Sequence, residues 1–442
     1  MHSICIVCDF FYPRFGGVEN HIFALALQLL SRGHHVVIFT HSYKPNRTGV
    51  RYLSSPNLKV YHCPFLPFHD QVTFPSLTMT LPLFRQVLIR EKINIVHAHQ
   101  ASSVLTLEAL LYADMLGLKT VFTDHSLFGL DTLDGIHLNK VTKFMFSNLS
   151  AAICVSNCCR ENFILRSAVP PENTYKIPNA VDPYRFTPDV ANRPNKNNSN
   201  TINIIIVSRL VYRKGTDLLC DVIEDVCLKG PKNVNFIIGG DGPKRILLEQ
   251  MREKLSLEAR ITLLGAIPHA QVRNVLTKGS IFLNCSLTES FCIAILEAAC
   301  CGLYVCSTKV GGVSEVLEED MIEFGKPNRK SMFDAVLRSL EKIENLQDVD
   351  RFSLDTHSRV KKLYTWCNVA ERTERVYDDI TRGEKDDERT KNAKMLERIK
   401  NWRSVGSYGG WIAVFLGMTL WFWLCVVEWI DPECGIERAL VF

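Results

Sequence analysis

No block of like charge runs through the first 380 residues of this 442-residue chain, whose formal net charge is only +4. A nucleic-acid partner needs a basic stripe that neutralises phosphates, so no nucleic acid is expected. Met1 to Phe11 lacks a basic region, a long apolar core and a small-residue cleavage site. No secretory leader is expected there, which assigns the bulk of the chain to the cytosol. The GxGxxG fingerprint of dinucleotide enzymes is missing too: Gly16-Gly17 has the wrong spacing, and Gly239-Gly240-Asp241-Gly242-Pro243 follows a later strand. That disfavours a nicotinamide enzyme. Nor is there a metal-ligand pattern. Cys5 and Cys8 lie on a predicted strand, where residues three apart face opposite ways, and His97 and His99 share a face but have no third ligand near them in sequence. No metal and no cofactor are expected.

Cysteine, by contrast, is plentiful. The sixteen cysteines fall in apolar runs such as Ile4-Cys5-Ile6-Val7-Cys8 and Ala298-Ala299-Cys300-Cys301, and read as buried, reduced thiols rather than a disulfide scaffold. Apolar residues make up 47% of the chain and charged residues 22%, an ordinary globular balance, and the length exceeds what one core organises. Short apolar runs, Ile4–Phe11, Val36–Phe39, Ile93–Val96, Lys119–Thr123 and Ala151–Val155, are separated by several stretches with helical periodicity. The pattern stops at the polar stretch Asn192 to Asn200 and restarts with Ile202 to Val207, Val234–Ile238, Ile261–Leu264, Ser280–Leu283 and Leu303–Ser307. Two doubly wound α/β domains account for it. The expected boundaries are 1–190 for the first domain, 191–201 for a linker, 202–382 for the second domain and 383–403 for a charged juxtamembrane segment.

From Ser404 to Val427 no residue is charged. About 20 helical residues cross a bilayer core, so 404–427 is expected to span a membrane and 428–442 to form a tail. Arg389, Lys391, Lys394, Arg398, Lys400 and Arg403 precede the run, whereas Glu428, Asp431, Glu433 and Glu437 follow it. The excess of positive charge stays cytosolic, which assigns both domains to the cytosol and the tail to the far side. The sequons at Asn46, Asn148 and Asn197 then lie on the cytosolic side and are expected to be unmodified.

In parallel sheets ligands bind beyond the carboxyl ends of the strands. Gly16-Gly17 follows the first strand and precedes a helix, where open backbone N–H groups favour a phosphate; the same residues also suit an ordinary tight turn. Arg209 and Lys214 follow the first strand of the second domain, where cations would offset the charge growing on a departing diphosphate. Solvated loop charges are the alternative. Glu289 and Glu297 are eight positions apart. With a helix from Phe291, Glu297 lies about two turns in and Glu289 precedes it. Carboxylates there can accept hydrogen bonds from sugar hydroxyls. His125, at the end of another strand, can serve a sugar or an acceptor near neutral pH, or be an ordinary loop histidine.

Taken in order, Gly16-Gly17-Val18-Glu19, His97-Ala98-His99, Pro178-Asn179-Ala180-Val181-Asp182, Arg209 to Gly215, Gly240-Asp241-Gly242-Pro243 and the Glu289–Glu297 pair resemble the retaining GT-B glycosyltransferases of family 4. Gly16 to His21, Asp124 to Gly129 and Trp366 to Glu374 resemble more narrowly the members of that family that start glycosylphosphatidylinositol (GPI) anchors. The resemblance implies two Rossmann-like domains facing a cleft and transfer of N-acetylglucosamine from UDP-GlcNAc to phosphatidylinositol at the cytosolic leaflet of the endoplasmic reticulum. It implies further subunits and no metal. By analogy Arg209 and Lys214 hold the diphosphate, Glu297 the ribose and Glu289 the donor sugar, while His125 and the Gly16-Gly17 loop serve the reacting region. Cys292 stands where many members carry glycine. A family-4 enzyme using another sugar such as mannose, and a noncatalytic scaffold of the same fold, share the generic motifs.

Overall fold

The computed structural model describes residues 1–14, 16–43, 47–53, 58–129, 133–167, 169–191, 201–382 and 388–439. The predicted linker between Ala191 and Thr201 and the sequon at Asn197 lie outside them, as do Asn46 and the start of the juxtamembrane segment. Contacts divide the chain into two compact units, Met1–Ile177 with Cys367–Phe442, and Pro178–Trp366.

The first unit is built on β1 (Ser3–Val7), α1 (Gly17–Ser31), β2 (His35–His41), β3 (Gly49–Leu53), β4 (Leu58–Cys63), β5 (Pro67–His69), β6 (Val72–Thr73), α2 (Thr80–Arg90), β7 (Ile95–His99), α3 (Val104–Met115), β8 (Lys119–Asp124), α4 (Leu133–Met145), β9 (Ala151–Cys154), α5 (Asn157–Arg166) and β10 (Thr174–Lys176). Eight strands form one sheet in the order β10-β9-β8-β7-β1-β2-β4-β3, and β5 pairs with β6 in a separate hairpin. Every neighbouring pair in the large sheet is parallel except β3 with β4. Strands covered by helices on both faces favour apolar residues at nearly every position, which is why β1 reads as an apolar run after Ser3, while β7 carries the buried His97 at its middle and His99 at its end. β3, at the edge, is exposed along most of its length.

The second unit carries β11 (Ile202–Val207), α6 (Thr216–Lys229), β12 (Val234–Gly239), α7 (Arg245–Lys254), β13 (Ile261–Gly265), α8 (Val272–Leu276), β14 (Ile281–Asn284), α9 (Ile293–Cys300), β15 (Tyr304–Thr308), β16 (Ile322–Gly325), α10 (Arg329–Glu344) and α11 (Val349–Leu363). Its six parallel strands run in the order β13-β12-β11-β14-β15-β16. Ile204, Ile206, Phe236, Ile238, Ile281 and Leu283 supply the middle of its core.

The units do not divide where the polar stretch lies. Residues 178–190, assigned by pattern to the first domain, pack on the second. Val181 N–H donates to Tyr364 O (3.2 Å), Arg273 Nε donates to Thr187 O (3.0 Å), and Phe186 is buried with its ring 5.7 Å from that of His269. Conversely α12 (Trp366–Thr381), assigned to the second domain, belongs to the first from Cys367 onward. Glu374 accepts from Arg32 Nε (2.8 Å) and pairs with His34 (3.0 Å), and Asp378 pairs with His2 (2.8 Å). Neither partner set is near in sequence, so periodicity gave no warning of it.

α13 (Glu388–Arg403) and α14 (Ser407–Ile430) complete the first unit. α14 is, among the described residues, one helix long and apolar enough to cross a membrane, with a mean hydropathy of 2.0 over its apolar window. It starts three residues after Ser404 and runs past Val427, so Glu428 falls in its last turn rather than beyond it. Gly410, Ala413, Gly417, Leu420, Leu424 and Val427 form its buried stripe. Trp402 of α13 is fully buried against that stripe. A Cβ added to Gly417 would meet the indole ring at 2.5 Å. Arg398 pairs with Asp114 (2.9 Å) and Asn401 donates to Asn148 (2.9 Å), fastening α13 to the sheet domain. At the far end of α14, Arg85 donates to Asp431 O (2.7 Å), Gln86 to its carboxylate (2.9 Å), and Ala439 N–H to Arg90 O (2.8 Å).

All sixteen cysteines are free thiols, as read from the sequence, but Cys367 and Cys434 are exposed rather than buried. The Trp402–Gly417 contact gives a first test. Gly417→Leu should cost about 1–3 kcal/mol through overpacking and lower the thermal midpoint of the detergent-solubilised chain. Gly409→Leu, where an added Cβ meets nothing within 4 Å, should leave that midpoint unchanged.

Candidate active site

In the second unit the chemistry gathers at the carboxyl ends of β11 and β14. β11 ends at Val207, and the following loop carries Arg209, exposed, before a single helical turn over Tyr212–Lys214. Gly215 closes that turn in the left-handed region (φ 66°). Any side chain there would drive a Cβ to 1.9 Å from Cys285 O, so the turn can seat Lys214 against the β14 end only with glycine next to it. Lys214 Nζ is bonded to Glu289 Oε1. The same carboxylate oxygen accepts from Ser286 Oγ (2.8 Å), and Ser286 O accepts in turn from Thr308 Oγ1 (2.6 Å). Burial works against the Lys214 ammonium, yet the Glu289 carboxylate more than offsets it and holds the pKa above the ordinary 10.5. Arg209 is near enough that its charge pulls the other way. Two cations and a carboxylate thus converge at one loop cluster. This is the balance a pyrophosphate–sugar ligand requires: positive charge for the phosphates and an acceptor for hydroxyls.

α9 begins at Ile293, two residues later than the sequence pattern implied, so Glu297 stands just over one turn into it rather than two. Glu297 is nearly buried and bonded to His269 Nε2 (2.9 Å). His269 was not among the residues singled out in sequence, because it comes from a loop 28 positions away. The residue just before α9 is Cys292, in the left-handed region at φ 70° and ψ 83°. That conformation is costly for a residue with a side chain and would suit glycine. Burial, followed by the charge of Glu289, pushes the Cys292 thiol up to about 12. The thiol is therefore a neutral filler next to Glu289 rather than a nucleophile.

In the first unit the Gly16-Gly17 loop and His125 come together. Gly16 is the N-cap of α1 and offers no side-chain cap of its own, the Glu19 carboxylate of the first turn lies against it, and Asn20 N–H donates to Gly16 O (3.1 Å). His21, in the second turn of α1, stacks edge-on to His125 with ring centroids 4.7 Å apart. His125 Nε2 is bonded to His99 Nδ1 at 3.2 Å, and the His97 and His99 rings stack at 4.3 Å, as their shared strand face predicts. His97 is held at both nitrogens, by Tyr377 Oη (2.6 Å) and Thr123 Oγ1 (2.7 Å). The loop carrying His125 is fixed by a fully buried pair, Asp124 with Arg166 at 2.5 Å, and by Ser126 Oγ donating to Gln100 (3.1 Å). His21, Tyr377 and Arg166 were invisible to local pattern, although His21 sits inside the motif that carried the family resemblance.

Three of these imidazoles, His97, His99 and His125, are held below the ordinary histidine range. Burial, then the charge of His21, takes His97 down to about 3. Burial first and the neighbouring imidazoles second hold His99 and His125 well below 6.5. Neutral imidazoles can accept or donate to a hydroxyl without carrying charge into the site. Their ligand nitrogens also supply what the sequence lacked, a third partner. His21, His99 and His125 bring one such atom each within 4.8 Å of one another, and His99 Nε2 is buried with no partner. Among the described residues these three are the ones that could hold a metal.

Two family profiles match the chain. One is described as PIGA (GPI anchor biosynthesis), over residues 41–132, the other as Glycosyl transferases group 1, over residues 189–351. Over 439 residues the chain is 47% identical to a phosphatidylinositol N-acetylglucosaminyltransferase subunit of Arabidopsis thaliana, covering 99% of this chain and 93% of that one. The Homo sapiens protein of the same name is 45% identical, with 99% and 87% covered. Among solved structures, sucrose-phosphate synthase from Thermosynechococcus elongatus superposes with a TM-score of 0.71 at 20% identity, over 86% of this chain and 99% of that one. Anabaena HepE in complex with UDP and glucose gives 0.66 at 18%, over 86% and 100%. At such identities the superpositions establish the fold, which is α/β and of the GT-B type.

The imidazole stack sets a pH dependence. A histidine whose folded pKa lies below 6.5 binds fewer protons folded than unfolded, so its contribution is intact above about 6.5 and is lost as pH falls toward the folded value. The thermal midpoint in detergent should therefore decline from pH 7 to pH 5. His97→Gln should flatten that decline.

Proposed function

As the chain belongs to the family of GPI-anchor biosynthesis proteins that includes the phosphatidylinositol N-acetylglucosaminyltransferase subunits of Arabidopsis thaliana and Homo sapiens, we propose that it moves N-acetylglucosamine from UDP-GlcNAc to phosphatidylinositol, the first step of GPI-anchor assembly. The observation that carries the reading is the Lys214–Glu289 pair, set beside Arg209 and the left-handed Cys292. In this reading Arg209 and Lys214 hold the diphosphate and stabilise the charge that grows on its oxygen as the bond to the sugar breaks. Glu289 accepts from hydroxyls of the donor sugar, and Glu297, oriented by His269, accepts from the ribose. An inositol hydroxyl bonds to the anomeric carbon on the face UDP leaves and passes its proton to the departing diphosphate oxygen, which gives retention of configuration. In the first unit His125 and the Gly16-Gly17 loop serve the reacting region.

No metal takes part in this mechanism. The protein acts at the endoplasmic reticulum membrane within a multisubunit complex, with its domains on the cytosolic side. The charges flanking α14 support a single crossing that leaves the tail in the lumen. A second reading, in which α14 lies along the cytosolic leaflet, is supported by the bonds from Arg85 and Gln86 to Asp431.

Membranes holding the chain and its partner subunits should convert labelled UDP-GlcNAc and phosphatidylinositol to a GlcNAc-bearing lipid, and labelled GDP-mannose to none. Lys214→Ala or Glu289→Ala should lower turnover by roughly 100-fold or more. Full activity in both would overturn the site assignment, and UDP binding without turnover would make the chain a scaffold. Activity should survive exhaustive treatment with chelators; a loss reversed by zinc would assign a metal to His21, His99 and His125. In sealed microsomes Cys434 should be shielded from a membrane-impermeant maleimide until detergent is added. Labelling without detergent would replace the crossing with the in-plane helix.

A further inference from the structure

We propose that the segment from Leu66 to Met79, built on the β5–β6 hairpin, is a second lipid-contacting surface of the first unit and inserts into the phospholipid leaflet that α14 also contacts. The proposal rests on the reading in which α14 lies along the leaflet, because the Trp423–Thr78 bond brings the far half of that helix against the first unit; it does not rest on the identity of the sugar or of the acceptor. Within these fourteen residues Leu66, Phe68, Phe74 and Met79 are 79%, 77%, 64% and 74% exposed. Single exposed apolar side chains are ordinary, but a contiguous patch marks a surface that something covers. The Phe68 and Phe74 rings are 5.8 Å apart and pack only edge to face on one another across the hairpin.

The exposure is built in. Asp9, a fully buried carboxylate at the end of β1, accepts from Thr73 N–H (3.3 Å), Ser103 Oγ (2.9 Å) and Leu105 N–H (3.1 Å), tying the hairpin to the start of α3. Glu108 of α3 accepts from Ser76 N–H (2.8 Å), Leu77 N–H (2.9 Å) and Thr80 Oγ1 (2.5 Å). Asp70, Gln71 and Leu77 all take left-handed backbone conformations, at φ 41°, 74° and 54°, without being glycine. A chain that holds strained residues with two buried carboxylates keeps a fixed shape, and this shape points its apolar side chains outward.

What covers the patch follows from its neighbour. Trp423 Nε1 of α14 donates to Thr78 O (3.0 Å), so the end of the segment meets the membrane helix directly. On α14, Phe415 and Phe422, flanking that contact in sequence, are 71% and 66% exposed. Whatever solvates α14 therefore solvates the segment, and for a helix of that composition the solvent is lipid. A cavity of about 370 Å³ opens behind the hairpin, with Phe10, Phe68, Val72, Pro75 and Val104 among its walls. It lies at the carboxyl end of β1, where this sheet places its ligands, and has room for the glycerol-proximal part of an acyl chain.

The full chain with Cys367→Ser and Cys434→Ser, carrying Phe68→Cys labelled with an environment-sensitive fluorophore, is reconstituted in phosphatidylcholine–phosphatidylinositol nanodiscs. A blue-shifted emission that nitroxide-bearing phospholipids quench is expected, while the same probe at Leu354→Cys on α11 should emit as in water and stay unquenched. Aqueous emission at position 68, or no quenching by the lipid nitroxide, overturns the proposal. The readout needs no turnover, so it fails separately from the transferase assignment. In the active complex, Phe68→Ser with Phe74→Ser should raise KM for phosphatidylinositol in vesicles roughly tenfold and leave KM for UDP-GlcNAc unchanged. An unchanged KM for the lipid would also overturn it.

Discussion

Parallel strands that are covered on both faces leave only their ends for chemistry, and this constraint organises both units. Hydrogen bonding between neighbours consumes the backbone, and helices consume both faces. Polar side chains can therefore reach a ligand only where the chain leaves the carboxyl end of a strand. Asp9 follows β1, His99 closes β7, Asp124 closes β8 ahead of His125, Arg209 and Lys214 follow β11, and Ser286 and Glu289 follow β14. Sequence distances of 26 between His99 and His125 and of 75 between Lys214 and Glu289 become hydrogen bonds because adjacent strands end side by side.

Burying polar groups at those ends obliges each to find a partner or to give up its charge, and the two units meet the obligation differently. In the first unit burial lowers the pKa values of the His97 and His125 imidazoles and raises that of Asp124, against which the Arg166 guanidinium acts. In the second unit the charges remain and are matched, Lys214 by Glu289 and Arg209 close by. A neutral set suits contact with uncharged hydroxyls, and a charged set suits a diphosphate. The same economy holds for Asp9 and Glu108, whose buried carboxylates are satisfied mainly by backbone N–H groups and hydroxyls and so fix the segment between β4 and α2.

The alternating strand and helix pattern, the long apolar helix and the residues at strand ends were legible in the sequence because each is a local property: periodicity, composition, or position after an apolar run. Gly16-Gly17, His125, Arg209, Lys214, Glu289 and Glu297 were all found that way. The unit boundaries were not, since Phe186 and Glu374 are claimed by partners far along the chain, His269 and Arg32, and no pattern within a window records that. Nor was the histidine cluster complete. His97 and His99 share a strand face by the two-residue repeat, but His21 reaches them from α1 and His125 from the next strand.

The sequence by itself determined the class of fold and a helix long and apolar enough to cross a membrane, and singled out candidate site residues at strand ends, because each depends on side-chain type at short spacing. Tertiary structure alone decided that Cys292 sits in a conformation made for glycine, that burial lowers the His99 pKa, and that Leu66, Phe68, Phe74 and Met79 stand exposed in a segment whose Thr78 meets Trp423. Backbone dihedrals, burial and the meeting of distant segments arise only once the chain has closed on itself. The fold supplies them, and no local stretch of sequence contains them.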